Sequence, residues 1–186
     1  MEYFTVDLSP YYNNIGCSYP NAQGDFTGFG SSYPGEQFPQ LDKHVFEVQS
    51  FPFILFARER QPNNVEFFSQ RIAVPQRVYN AMNVLGASDN GSFYEYITFY
   101  RLGEATAKYR LGLSDWIADS PRFEEKEGLR CTGLCRSDKM INTLNPVIWM
   151  QVIRFQSPLV FDEILLPDNM CMHMFSLTLE GGEELV

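Results

Sequence analysis

A chain of 186 residues, 45% hydrophobic and 20% charged, is long enough to bury a core of its own and too apolar to stay disordered. With 23 acidic against 14 basic side chains it carries a formal charge of −9 and a pI near 4.7. That balance excludes a broad basic face for nucleic acid and electrostatic attachment to an anionic membrane.

The N-terminal MEYFTVDLSP has no basic stretch followed by an apolar one, so no signal peptide is visible. Localisation is otherwise open, and the chain reads as cytoplasmic or as a fragment of a longer protein. Residues 9–39 come next, and Pro10, Gly16, Pro20, Gly24, Gly28, Gly30, Pro34, Gly35 and Pro39 punctuate them. Proline and glycine at this density forbid long regular elements. The interleaved Tyr11, Tyr12, Tyr19, Phe26, Phe29 and Tyr33 forbid disorder, because so many rings must be pinned onto something.

From residue 44 the chain reads as strands. Residues 45–48 and 51–56 are β-rich, with Pro52 suited to an edge. The apolar run 51–57 is too short to span a bilayer, so no membrane insertion is expected. Val65, Phe67 and Ile72 lie in a run closed by Pro75, and residues 78–85 lead into a turn cluster at 86–91. Residues 93–100 and 106–113 alternate with period two on either side of Leu102-Gly103-Glu104, the pattern of a hairpin with one buried face. A second irregular stretch covers 117–145. Regular structure resumes at 147–155, 159–166 and 172–179, and the closing 181–186 reads as a frayed tail. No window holds a capped helix of three turns. The expected architecture is one all-β domain over residues 1–186, an antiparallel two-sheet sandwich.

Four cysteines do not make a disulfide scaffold. Cys131 and Cys135 flank Gly133, a spacing that can close a small disulfide loop or supply half of a metal site. The remaining Cys17, Cys171, His44 and His173 form no second local pair, and reduced, inert thiols are the expectation. His173 shares strand parity with Phe175, Leu177 and Leu179 and should point into the core, while His44 should be exposed at a strand entrance. Neither lies in a catalytic motif. Asp115, Trp116 and Asp119 form the most suggestive acidic set, at the end of a strand and the mouth of a loop; turn-capping carboxylates beside a packing tryptophan account for it without catalysis. Asn21 and Asp25 lie on a glycine-rich loop of the kind that offers oxygens to Ca2+, as do Asp89 and Asn90. Tyr19, Phe29, Tyr33 and Trp116, beside Asn21, Gln23, Asp25 and Asp115, combine rings for stacking on a sugar face with groups for its hydroxyls.

Several segments, in order, carry a family likeness. They are Asn13-Asn-Ile-Gly with Gly24-Asp-Phe-Thr-Gly-Phe-Gly-Ser-Ser-Tyr-Pro, then Pro62-Asn-Asn-Val with Gln70-Arg-Ile-Ala-Val-Pro. Val84-Leu-Gly-Ala-Ser-Asp-Asn-Gly, Leu111-Gly-Leu-Ser-Asp-Trp and Leu166-Pro-Asp-Asn-Met-Cys-Met-His-Met-Phe-Ser-Leu-Thr-Leu follow. Together they resemble the galactose-binding-like β-sandwich modules appended to bacterial glycoside hydrolases, including α-fucosidase-like enzymes. Ser69 before Gln70, Thr27 after Phe26, and Met170 depart from that pattern. The resemblance implies a jelly-roll sandwich of about eight to ten strands. It also implies a non-catalytic module that recognises a carbohydrate through loops at one end. The alternative is a structural or protein-interaction domain of the same fold without sugar binding; a small enzyme acting on sugars ranks third.

Overall fold

The computed structural model describes residues 2–39, 45–137 and 139–184; His44 lies outside them. In chain order the strands are β1 (Glu2–Val6), β2 (Cys17–Ser18), β3 (Ser31–Pro34), β4 (Val45–Val48), β5 (Phe51–Ile54), β6 (Val65–Phe68) and β7 (Arg71–Ser88). They continue as β8 (Phe93–Arg101), β9 (Glu104–Leu113), β10 (Lys126–Arg130), β11 (Leu134–Arg136), β12 (Lys139–Ile141), β13 (Val147–Leu165) and β14 (Asp168–Glu184). Single 3-10 turns at Ser9–Tyr11 and Gly35–Gln37 are the helical elements among the described residues.

The main sheet runs β1-β14-β7-β13-β8-β9, with β6 added to β14 and β10 to β13. A smaller sheet runs β12-β11-β3-β2, and β4-β5 form a separate ribbon. Strand pairing is antiparallel except between β2 and β3. The result is an all-β antiparallel sandwich with several sheets.

Alternation along β7 explains the layering. Met82 and Val84 join one core cluster, whereas Leu85 and Ala87 join the other, so each face of the central sheet is buried. The first face is covered by the β8-β9 hairpin, through Ile97, Phe99, Leu111 and Leu113. The second is covered by the irregular N-terminal region and its neighbours, through Phe26, Tyr33, Phe38 and Trp116. Apart from the exposed Phe29, the aromatics of residues 9–39 pack in or against one of the two core clusters.

Five sequence expectations change. Pro75 does not close a strand: β7 runs through it for 18 residues, and the pairing with β13 shifts register between Phe161 and Glu163, opposite Pro75. A bulge spares the ladder the missing N–H. Residues 147–155 and 159–166 similarly fuse into β13, with a register shift between Arg154 and Leu159. The third concerns β14. His173 and Phe175 face the aromatic cluster, but a bulge between Met174 and Ser176 flips the strand, so Leu177 and Leu179 face the opposite cluster. Beyond it, β14 continues to Glu184, pairing Gly181 with Glu2 and with Tyr79, so paired backbone reaches into the segment expected to fray. The stretch 117–145 is not wholly irregular, since it contains β10, β11 and β12.

Candidate functional site

The smaller sheet divides its residues between two sides. Cys17, Tyr33 and Leu134 enter the aromatic core. Ser18 and Cys135 alternate with them and form part of the floor of an open cleft of about 490 Å3, within the size range of ligand sites. Ser18 Oγ lies 2.6 Å from Ser32 Oγ beneath it.

Three turns wall the cleft. Tyr19 and Ala22 exchange backbone hydrogen bonds of 2.8 and 3.1 Å, closing a tight turn with Pro20 and Asn21 at its tip. The Arg60 guanidinium donates to the Asn21 carbonyl at 2.9 Å and anchors that tip. The second wall is the 3-10 turn after Pro34. A side chain at Gly35 would place its Cβ 2.4 Å from the Tyr19 ring, so the tyrosine packs flat only because residue 35 has none. The third wall comes from Ser137, Lys139 and Met140 at the β11-β12 turn. Pro20, Pro34 and Met140 give the lining apolar surface; Asn21, Gln23, Glu36 and Lys139 give it amides and both signs of charge. The Cys135 thiol on the floor is pushed up by burial and then by the negative charge of Glu36, which slows its reactions as a nucleophile.

The residues proposed from sequence divide sharply. Tyr19 and Asn21, with Gln23, do meet at this cleft. Tyr33 and Trp116 are 0% and 4% exposed and present no ring to solvent. The Tyr33 hydroxyl donates to the Val147 carbonyl at 2.9 Å, and both rings pack about Phe26 with centroids 5.0 and 5.1 Å away. Phe29 is exposed but does not line the cleft. Asp25 accepts a hydrogen bond from the Gly30 N–H at 2.9 Å, which organises its own loop. Asp115 does the same for two neighbours: Oδ2 accepts from the Gly91 N–H at 2.7 Å and Oδ1 from the Ile117 N–H at 2.9 Å. Its carboxylate is a turn organiser. Asn21 and Asp25 thus point to separate tasks, and among the described residues no three His, Cys, Asp or Glu side chains converge on a metal position.

Sequence reading missed the contribution of Lys139, Met140 and Glu36. The only signal for them was indirect: a short turn after the Cys pair and a glycine after Pro34, neither of which announces that the two segments meet.

The AziU2-like beta-sandwich domain family model matches residues 2–183, nearly the whole chain. A comparison with curated proteins gives no match. The family match carries the β-sandwich; the likeness to galactose-binding modules is a likeness of motifs.

Proposed function

The chain belongs to the AziU2-like β-sandwich domain family, and from that premise we propose that it is a non-catalytic domain that binds a short segment of another protein in the cleft between the Tyr19–Ala22 turn and the β11-β12 turn. The lining carries this reading. Pro20 and the 46%-exposed Met140 offer apolar contact, the methionine an adaptable one, and Asn21, Gln23, Glu36 and Lys139 line the same cleft as partners for peptide amides and side chains. A sugar site needs an open ring face beside its hydrogen-bonding groups. Tyr33 and Trp116 are interior, and one face of Tyr19 is covered by Gly35. The interaction-domain reading is therefore supported better than the carbohydrate one.

Selection from a displayed library of random peptides tests the proposal, with a glycan panel run alongside, with and without Ca2+. The expected result is enriched peptides that bind the wild type and lose about tenfold or more in affinity to Met140→Glu, a charge set into the apolar lining. Enrichment insensitive to Met140→Glu, or binding to glycans alone, overturns it.

A further inference from the structure

The β8-β9 hairpin buries one side of its ribbon and presents the other, and the presented side is unusual for so acidic a chain. Tyr94 and Tyr96, two residues apart on β8, are 51% and 57% exposed, although Ile97 and Phe99 of the same strand are fully buried. Across the ladder, Tyr96 pairs with Arg110 and Thr98 with Lys108, so two tyrosines and two cations share one surface. The Arg110 guanidinium lies 3.9 Å over the centre of the Tyr94 ring and 5.5 Å from that of Phe123. Phe123 can stand there because residue 112 is glycine: a Cβ at Gly112 would fall 2.5 Å from the Phe123 ring. Tyr94 and Phe123 meet edge to face at 6.3 Å.

This contact holds the guanidinium over the Tyr94 ring, and no hydrogen bond among the described residues occupies its N–H groups. A stacked arginine has given up its rotamer freedom before any ligand arrives and still has donors for a carboxylate. Three acids along the hairpin are engaged elsewhere. Glu163 pairs with Arg71, Asp162 accepts from the Leu102 N–H at 3.0 Å, and Glu95 is met by Asn169 at 3.3 Å. Neither Arg110 nor Lys108 has a carboxylate partner among the described residues.

We propose that this Tyr94–Tyr96–Arg110 face is a second docking surface, separate from the cleft, for an acidic segment of a partner protein. Tyrosine and arginine are the side chains that concentrate binding energy at interfaces. A net charge of −9 repels an acidic segment from most of the chain, so a local cationic face also selects where it lands. A second copy meeting this face about a two-fold axis would set Arg110 and Lys108 against their own counterparts, which disfavours self-association through it.

Fluorescence anisotropy of the whole chain with a labelled peptide of alternating glutamate and leucine is the test, with a lysine-leucine peptide as control. The glutamate peptide should bind, weaken as salt is added, and lose about tenfold in affinity to Arg110→Gln and separately to Tyr96→Ser, whose melting temperatures are measured in parallel. Absence of binding up to millimolar peptide overturns the proposal, as does equal binding of the lysine peptide or equal binding by both folded variants. So does concentration-dependent dimerisation in sedimentation that Arg110→Gln abolishes, since a second copy would then own the face.

Discussion

His173 and Asn64 meet at 2.9 Å, imidazole Nδ1 to side-chain Oδ1, in the interior between β14 and the irregular N-terminal region. The contact has a direction. Asn64 Nδ2 reaches Asn14 Oδ1 at 2.9 Å and Asn63 Oδ1 at 3.0 Å, both acceptors, so its Oδ1 is left to face the ring and Nδ1 carries the proton. Asn63 in turn accepts from the Gly16 N–H at 2.9 Å and donates to the Cys17 sulfur at 3.0 Å. A chain of amides thus ties the segment that walls the cleft to the central sheet.

Asn64→Ala breaks that chain and leaves buried donors and acceptors without partners. The expected loss is about 2–4 kcal/mol. Urea unfolding measures it, and a change below about 0.5 kcal/mol, the range of a neutral surface substitution, would contradict the assigned role.

Trp116 and Tyr33 should behave as core residues. Trp116→Ala is expected to cost about 3–5 kcal/mol, and Tyr33→Phe about 1–2 kcal/mol through the lost bond to the Val147 carbonyl. Thermal melting of the two variants checks this. An unchanged melting temperature in Trp116→Ala would return the indole to the list of binding groups.

Glu125 makes stability depend on pH. Burial lifts its carboxyl above the ordinary 4.5, and hydrogen bonds from Ser114, Phe123 and Arg122 only partly oppose this. The folded state therefore holds this proton more tightly than the unfolded state. Between pH 4.5 and the raised folded value, stability falls as pH rises, by at most about 1.4 kcal/mol per pH unit. The stability of wild type relative to Glu125→Gln should decline across that window in denaturant titrations. A difference that is flat or rises with pH would contradict the assignment.

The cysteines should react in two classes. Burial raises the Cys131 thiol to about 12 and Cys17 well above its ordinary range, while Cys135 and Cys171 are only partly buried. A thiol reagent near pH 8 should label Cys135 and Cys171 slowly and leave Cys17 and Cys131 until the chain is unfolded. Mass spectrometry of the labelled peptides reads the order. Rapid labelling of Cys131 would contradict its place in the core.

The hairpin at 93–113 was legible because period-two alternation brackets Leu102-Gly103, whose φ of 51° and 82° suit a tight hairpin turn. The aromatic, glycine-rich region was legible as ordered, because rings at that density must pack. What it packs onto was not legible, since that depends on β7 burying both faces. Nor was the flip of β14: one bulge at Met174/Ser176 reverses the parity on which the His173 reading extended to Leu177. Within the site, Tyr19 and Asn21 were found because they are local to one loop. Glu36, Lys139 and Met140 come from segments about a hundred residues apart, joined by the pairing of β11 with β3 and by the two hydrogen bonds between Gln37 and Thr132, and local patterns do not report long-range pairing.

Amide chemical-shift mapping with a peptide selected on the wild type tests the central claim most directly. The account predicts shifts concentrated at the amides of residues 18, 19, 21–23, 35, 36, 135–137, 139 and 140, with the amides of Phe26, Tyr33 and Trp116 undisturbed. Shifts centred instead on the Phe29 and Trp116 loops, or the same cleft amides moved by an oligosaccharide and by no peptide, would contradict it.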